Sequence, residues 1–147
     1  MVVLAAIGKH ERSKHVVEIA NDLASTYDDE LVAVHVVPRE AYEEHKAAIQ
    51  DIDGFRDFSI DREAESAEEF ARRFVDDAAG DVDVELRTMG RVGDIADEVL
   101  DVADSLDPRY LVISGRRRSP VGKAVFGNTT QKILLNAQCP VVTKLSE

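Results

Sequence analysis

Arg116, Arg117 and Arg118 stand in an unbroken row, Lys123 follows closely, and Gly115, Gly122 and Gly127 punctuate the same stretch. The chemistry open to such a set is anion binding. Guanidinium groups make charge-assisted contacts to phosphate, and glycines let backbone amides approach a ligand closely. Gly127 leads into Asn128, Thr129 and Thr130 at what reads as a helix start, where free amides and the helix dipole favour an anion. Asn128 with Gln131 three residues on also reads as a capping-box variant, which needs no ligand. Charge distribution favours the anion. No carboxylate occurs from Pro108 to Ser146, so residues 108–147 carry a net +6 while residues 1–107 carry −17. Burial does not account for four cations so close together; they must reach solvent or a ligand.

Other chemistries find less support. Gly122-Lys123 is reminiscent of a P-loop, but Arg117 stands where the first glycine belongs and Ala124 where a magnesium-holding hydroxyl would be. The dinucleotide fingerprint fails as well, since Gly8 opens a loop without the glycines that should follow. Asp28-Asp29 and Asp76-Asp77 read as solvated charge at helix ends, and Ser13 with His15 as a helix start. His10, in the first loop, can touch a ligand. Cys139, ahead of Pro140, reads as a small buried hydrophobe; a lone cysteine excludes an internal disulfide, and the four histidines lack metal-ligand spacing. No metal and no catalytic residue are expected; the chemistry is binding, not turnover.

The 147 residues carry a net charge of −11, with 16 Asp, 13 Glu, 12 Arg and 6 Lys. That composition resembles proteins of salt-loving cytoplasms such as those of halophilic archaea, where concentrated salt screens self-repulsion. It opposes nucleic-acid binding, and no aromatic platform accompanies the arginines. The longest apolar runs, Val2–Ile7 and residues 31–37, fall far short of the roughly 20 residues a membrane helix needs. A cytoplasmic protein of one domain, residues 1–147, is expected.

The elements that must position these residues are legible from periodicity. Residues 2–7, 30–37, 110–114 and 141–145 are short apolar runs, the mark of parallel strands covered on both faces. Val82, Val84, Leu86 and Thr88 alternate with polar residues, which predicts a fifth strand near a sheet edge. Between them lie helical stripes: Val16, Ile19, Ala20 and Leu23; Ala67, Phe70, Ala71 and Phe74; Ile95, Val99, Val102 and Leu106; Thr130, Ile133, Leu134 and Ala137. Strict alternation specifies an open parallel α/β sheet with right-handed crossovers. Residues 38–61 form a long excursion in which residues 41–49 can make a short helix and Gly54, Phe55 and Phe58 a packed or mobile loop. A ligand crevice is expected beyond the carboxyl ends of the strands, flanked by residues 8–12 and 115–127.

Three segments carry a resemblance: Leu-Val-Ile-Ser-Gly115, then Gly127-Asn-Thr-Thr-Gln-Lys-Ile-Leu-Leu, then Ala137-Gln-Cys-Pro-Val-Val. The chain resembles a universal stress protein domain, in which a fourth strand runs into Gly-x2-Gly-x9-Gly-Ser/Thr, a helix and a Cys-Pro-Val-like strand. The resemblance implies a Rossmann-like five-stranded sheet of order 3-2-1-4-5, a stress-response role and ATP or another phosphate ligand as cofactor. In register, Ser114 and Arg117 replace the first two motif glycines and Asn128 the Ser/Thr, leaving Thr129 and Thr130 to donate hydroxyls. Gly8 occupies the position of an Asp that meets the nucleoside, and Val36 matches a residue lining the adenine pocket. The candidate site is therefore Gly8, Val36, Gly115, Arg116, Arg117, Arg118, Gly122, Lys123, Gly127, Asn128, Thr129 and Thr130. A homodimer through residues 141–145 is implied too. The alternative is a dimeric scaffold that docks protein partners and binds no nucleotide; a third reading, a nucleotidyl or phosphoryl transferase, lacks a magnesium ligand or base.

Overall fold

The computed structural model describes residues 1–50, 60–116 and 127–146. The chain runs β1 (Val2–Ile7), α1 (Arg12–Tyr27), β2 (Glu30–Pro38), α2 (Arg39–Gln50), α3 (Ile60–Ala79), β3 (Leu86–Gly93), α4 (Ile95–Leu106), β4 (Tyr110–Arg116), α5 (Asn128–Asn136) and β5 (Val141–Ser146). All five strands pair in parallel in the order β3-β2-β1-β4-β5, as the alternating pattern requires.

The continuous apolar runs are explained by which side chains reach which face. Successive residues of a strand point to opposite sides. Val3, Ala5, Ile7, Leu31, Ala33 and Val112 meet Val16, Val17 and Ala20 of α1 and Ala71 and Val75 of α3. Leu4, Val32, Val34, Val36, Leu111 and Ile113 meet Ala96, Val99 and Val102 of α4 and Ile133 of α5. With both faces covered, both sets of positions are apolar apart from buried groups that find a hydrogen-bond partner, such as His35 of β2. Among the described residues, no helix is long and apolar enough to cross a membrane, and no group of three or more His, Cys, Asp or Glu is placed to hold a metal ion.

Two expectations need correction, and the short helix expected at residues 41–49 is present with wider bounds. The edge strand begins at Leu86, not at Val82, and continues to Gly93. Val82 and Val84 precede it and pack half-buried against the α1 and α3 face, so their alternation reports burial without strand pairing. The excursion after β2 is helical at once, with Tyr42 of α2 buried against Val37 and Ala67; Gly54, Phe55 and Phe58 lie outside the described residues. Asp29 is not solvated charge. Its side chain is 3% exposed, accepts from Arg109 Nε at 2.7 Å and lies 3.3 Å from the Met1 ammonium. The Arg109 guanidinium in turn sits 4.3 Å from the Tyr27 ring centroid. Asp76 and Asp77 do lie exposed on the last turn of α3.

Candidate functional site

Because β1 is central, its carboxyl end and that of β4 open side by side, and the loops that follow diverge into helices on opposite faces of the sheet. A cavity of about 480 Å³ occupies this position. It extends across the ends of β2, β1 and β4, a reach of roughly 10 Å for two interstrand spacings.

Its walls differ in kind. Val34, Val36, Val37 and Pro38 of β2, Ala41 of α2 and Ile95 and Val99 of α4 make one end apolar. Gly8, Lys9, His10, Arg12 and Ser13 form the middle, after β1. Ser114 of β4 and Thr129, Thr130 and Ile133 of α5 close the other end. No Asp or Glu lines the cavity among the described residues. The nearest buried carboxylate to its rim, Glu63, accepts from Nδ1 of the rim residue His45 at 2.8 Å, which also ties α2 to α3.

Helix α5 enters the cavity uncapped. Gly127 is its N-cap residue with extended backbone (φ −64°, ψ 162°) and no side-chain cap hydrogen bond. Asn128 is thus the first helical residue, exposed and not a cap, which overturns the capping-box reading; its side chain starts too late to fold back on the first amides. The amides of the first turn have no intrahelical acceptor, and among the described residues no side chain caps them, the arrangement that favours an anion. Two side chains fix the start of this helix. Thr130 Oγ1 donates to the Ser114 carbonyl at 3.4 Å, and Lys132 Nζ reaches Asp97 at 2.7 Å and Asp94 at 3.5 Å on α4. Asp94 itself caps α4 by accepting from the Asp97 amide, and that bond, with the Lys132 charge, holds its carboxyl below the usual range.

On the β1 side, Ser13 is buried and its hydroxyl accepts the Gly8 amide at 2.9 Å, pinning the loop to the first turn of α1. Buried His35 stands behind. Burial, with the Lys9 charge, lowers its pKa, so the ring is neutral near pH 7; Nδ1 then carries the proton and donates to the Ile7 carbonyl at 2.9 Å. Phe70 packs on that ring at 4.4 Å, and Lys9 Nζ lies 5.9 Å from the Phe70 centroid.

The fold therefore brings Gly8, Val36, Thr129 and Thr130 to one cavity. Gly115, Arg116, Gly127 and Asn128 adjoin it without lining it among the described contacts. Gly115 has a packing reason: a Cβ there would stand 3.0 Å from Leu145 Cδ2 and 3.3 Å from Thr130 Cγ2, so the glycine lets β5 and α5 close over β4. Arg116 is exposed at the end of β4. Arg117, Arg118, Gly122 and Lys123 lie outside the described residues. His10 lines the cavity as expected, whereas Lys9, Arg12, Ser13 and His35 were not among the site candidates. Their signal was present as three bases within four positions after β1, overshadowed by the larger cluster at 116–123. Cys139 is half-buried against the α4 and α5 face, and burial raises its thiol pKa.

Comparison with known proteins agrees with this geometry. The profile described as "Universal stress protein family" matches residues 1–143. A universal stress protein of Mycolicibacterium smegmatis is 43% identical over 49 residues, which are 33% of this chain and 38% of that protein. The chain thus matches well under half the length of this curated relative. The structure of a universal stress protein from Archaeoglobus fulgidus is 26% identical, covers 97% of each chain and superposes with a TM-score of 0.64. A universal stress protein solved in complex with cAMP shares the fold at 15% identity, covering 100% of this chain and 98% of that one with a TM-score of 0.64. Sheet order, crevice position and a profile match over nearly every residue converge, and the chain belongs to the universal stress protein family.

Proposed function

We propose that this protein binds a nucleotide or a closely related phosphate ligand in the cavity at the carboxyl ends of β1 and β4, and acts in stress response by binding, without turnover. The observation that carries the reading is the cavity's gradient from apolar to cationic to helix N-terminus, free of acid among the described residues of a chain with net charge −11. A flat base fits the apolar end beside Val36 and Ile95, the sugar lies over Gly8, and the 5′-phosphates meet the amides of Thr129 and Thr130. ATP is the reference ligand. Arg116 and the bases at 117, 118 and 123 add charge-assisted contacts where the glycine motif is altered. Gly115, Gly127 and Asn128 adjoin the same cavity from β4 and the start of α5, and Gly122 belongs to the segment between them in sequence. A structural relative in complex with cAMP supports a nucleotide as the class.

Thr129→Glu tests this cleanly. Thr129 is exposed in the first turn of α5, where an acidic side chain favours the helix dipole, so folding is preserved while negative charge enters the phosphate subsite. Titration calorimetry with ATP is expected to show one site per chain in the wild type and at least a tenfold weaker one in the variant. Equal affinities would count against the site.

A second reading, a dimeric scaffold docking protein partners, is favoured by the β5 edge. Val141, Thr143 and Leu145 are only half-buried, Thr143 Oγ1 is buried with no hydrogen-bond partner among the described residues, and Leu135 nearby in sequence on α5 is 74% exposed. Pairing of two such edges in a homodimer would cover unpaired backbone groups. Sedimentation is expected to give a dimer that Leu145→Lys dissociates; a monomer at every salt concentration would contradict it. Both readings place the 147 residues in one cytoplasmic domain with neither metal, nucleic acid nor membrane as partner, in a salt-rich cell such as that of a halophilic archaeon.

A further inference from the structure

The middle of the cavity has a character of its own. Lys9, His10 and Arg12 all line it, and none has a carboxylate partner among the described residues. That is notable where 29 acids face 18 Lys and Arg, and where the neighbouring bases that do not line the cavity, Lys14 and His15, pair with Glu11 and Glu18. Ser13 adds a buried hydroxyl whose oxygen already accepts the Gly8 amide, leaving its proton to donate inward. No side chain on this wall is a carboxylate, and Lys9 and Arg12 carry donors only.

A ribose with free hydroxyls can accept from such donors, but its own protons then lack a carboxylate acceptor on this wall. Its 2′ and 3′ hydroxyls donate, and a carboxylate is their common partner; a basic residue at that point matches a phosphate ester instead. Sheet order places this wall over β1, between the apolar end over β2 and the α5 terminus over β4, which is where the sugar lies if the base and the 5′-phosphate occupy the two ends. Resting on that placement, we propose that the site takes a nucleotide bearing a second phosphate on the ribose, of the nucleoside 3′,5′- or 2′,5′-bisphosphate class, held by Lys9, Arg12 and the Ser13 hydroxyl with His10 at the rim.

The test compares adenosine 3′,5′-bisphosphate and adenosine 2′,5′-bisphosphate with ADP, which carries its second phosphate on the 5′ chain, by calorimetry on the full chain. One bisphosphate is expected to bind at least about tenfold more tightly than ADP. K9Q/R12Q brings that ratio to about one. Gly8→Asp does the same by a different route, because a Cβ at Gly8 meets nothing closer than 3.8 Å and the new carboxylate opposes the ribose phosphate. ADP binding with equal or weaker binding of both bisphosphates would overturn this inference alone. A tenfold preference that survives K9Q/R12Q would also overturn it, since the selecting charge would lie elsewhere. Binding of neither ligand would remove the nucleotide reading, and this inference with it.

Discussion

Gly90→Ala is expected to destabilise the protein by on the order of 3 kcal/mol or more, a large part of the ~5–15 kcal/mol that holds a domain of this size folded. A Cβ at residue 90 would stand 2.0 Å from the Ala64 carbonyl oxygen, 2.5 Å from the Glu68 amide nitrogen and 2.8 Å from Ala67 Cβ. Two of these atoms are helix backbone, so no rotamer change relieves the clash; α3 must lift from β3. That lift would also disturb the buried Ala67 and Ala71, which anchor α3 on the sheet. Urea unfolding should show a midpoint far below that of the wild type. Gly127→Ala is the control: its Cβ meets nothing within 4 Å among the described residues at an ordinary φ of −64°, so the change should stay within about 1 kcal/mol, the scale of a weaker N-cap residue. Similar midpoints for the two variants would contradict the close packing of α3 on β3.

Asp29→Ala should cost about 2 kcal/mol near pH 7. The carboxylate is buried and takes the Arg109 guanidinium on one oxygen and an ammonium on the other, joining the β2 start to the β4 start at the amino ends of the strands. Because Arg109 keeps a third of its side chain in solvent, the unpaired cation left behind is partly rehydrated, so the loss falls below that for a fully buried pair. The pH dependence has a definite sign. The hydrogen bond from Arg109 and the neighbouring charges hold the Asp29 pKa below its usual value near 4. The unfolded chain therefore binds the proton more readily, so this contribution is complete above the unfolded pKa and is lost as pH falls through the folded one. Wild type and variant should differ most above about pH 5 and converge under strongly acid conditions. A constant difference across that range would show that Asp29 acts through packing and not through charge.

What the sequence disclosed and concealed follows from the range of each interaction. The four apolar strands and the helical stripes were readable because parallel strands under two helical layers have no polar face. The edge strand was misplaced because Gly90 and Gly93 sit in its centre and at its end. Glycine weakens a strand pattern, yet Gly90 is required by the approach of α3, a constraint visible only once both elements are packed. Asp29 looked solvated because its partner Arg109 lies 80 residues away. The cavity's position was implied by topology, and Gly8, Val36, Thr129 and Thr130 do meet there. The basic loop after β1 was undervalued for a physical reason: whether a surface cation is neutralised depends on acids brought near it by folding. Those acids went to Lys14 and His15 and left Lys9 and Arg12 facing the cavity.

The most direct measurement of the central claim is an amide-resolved NMR titration of the isotope-labelled protein with adenosine 5′-monophosphate. Saturable shifts are predicted at Gly8, Lys9, Ser114, Thr129 and Thr130, which surround the cavity from two sides, with a stoichiometry of one per chain. Absence of any shift at millimolar ligand, or shifts confined to β5 and the exposed face of α5, would contradict it.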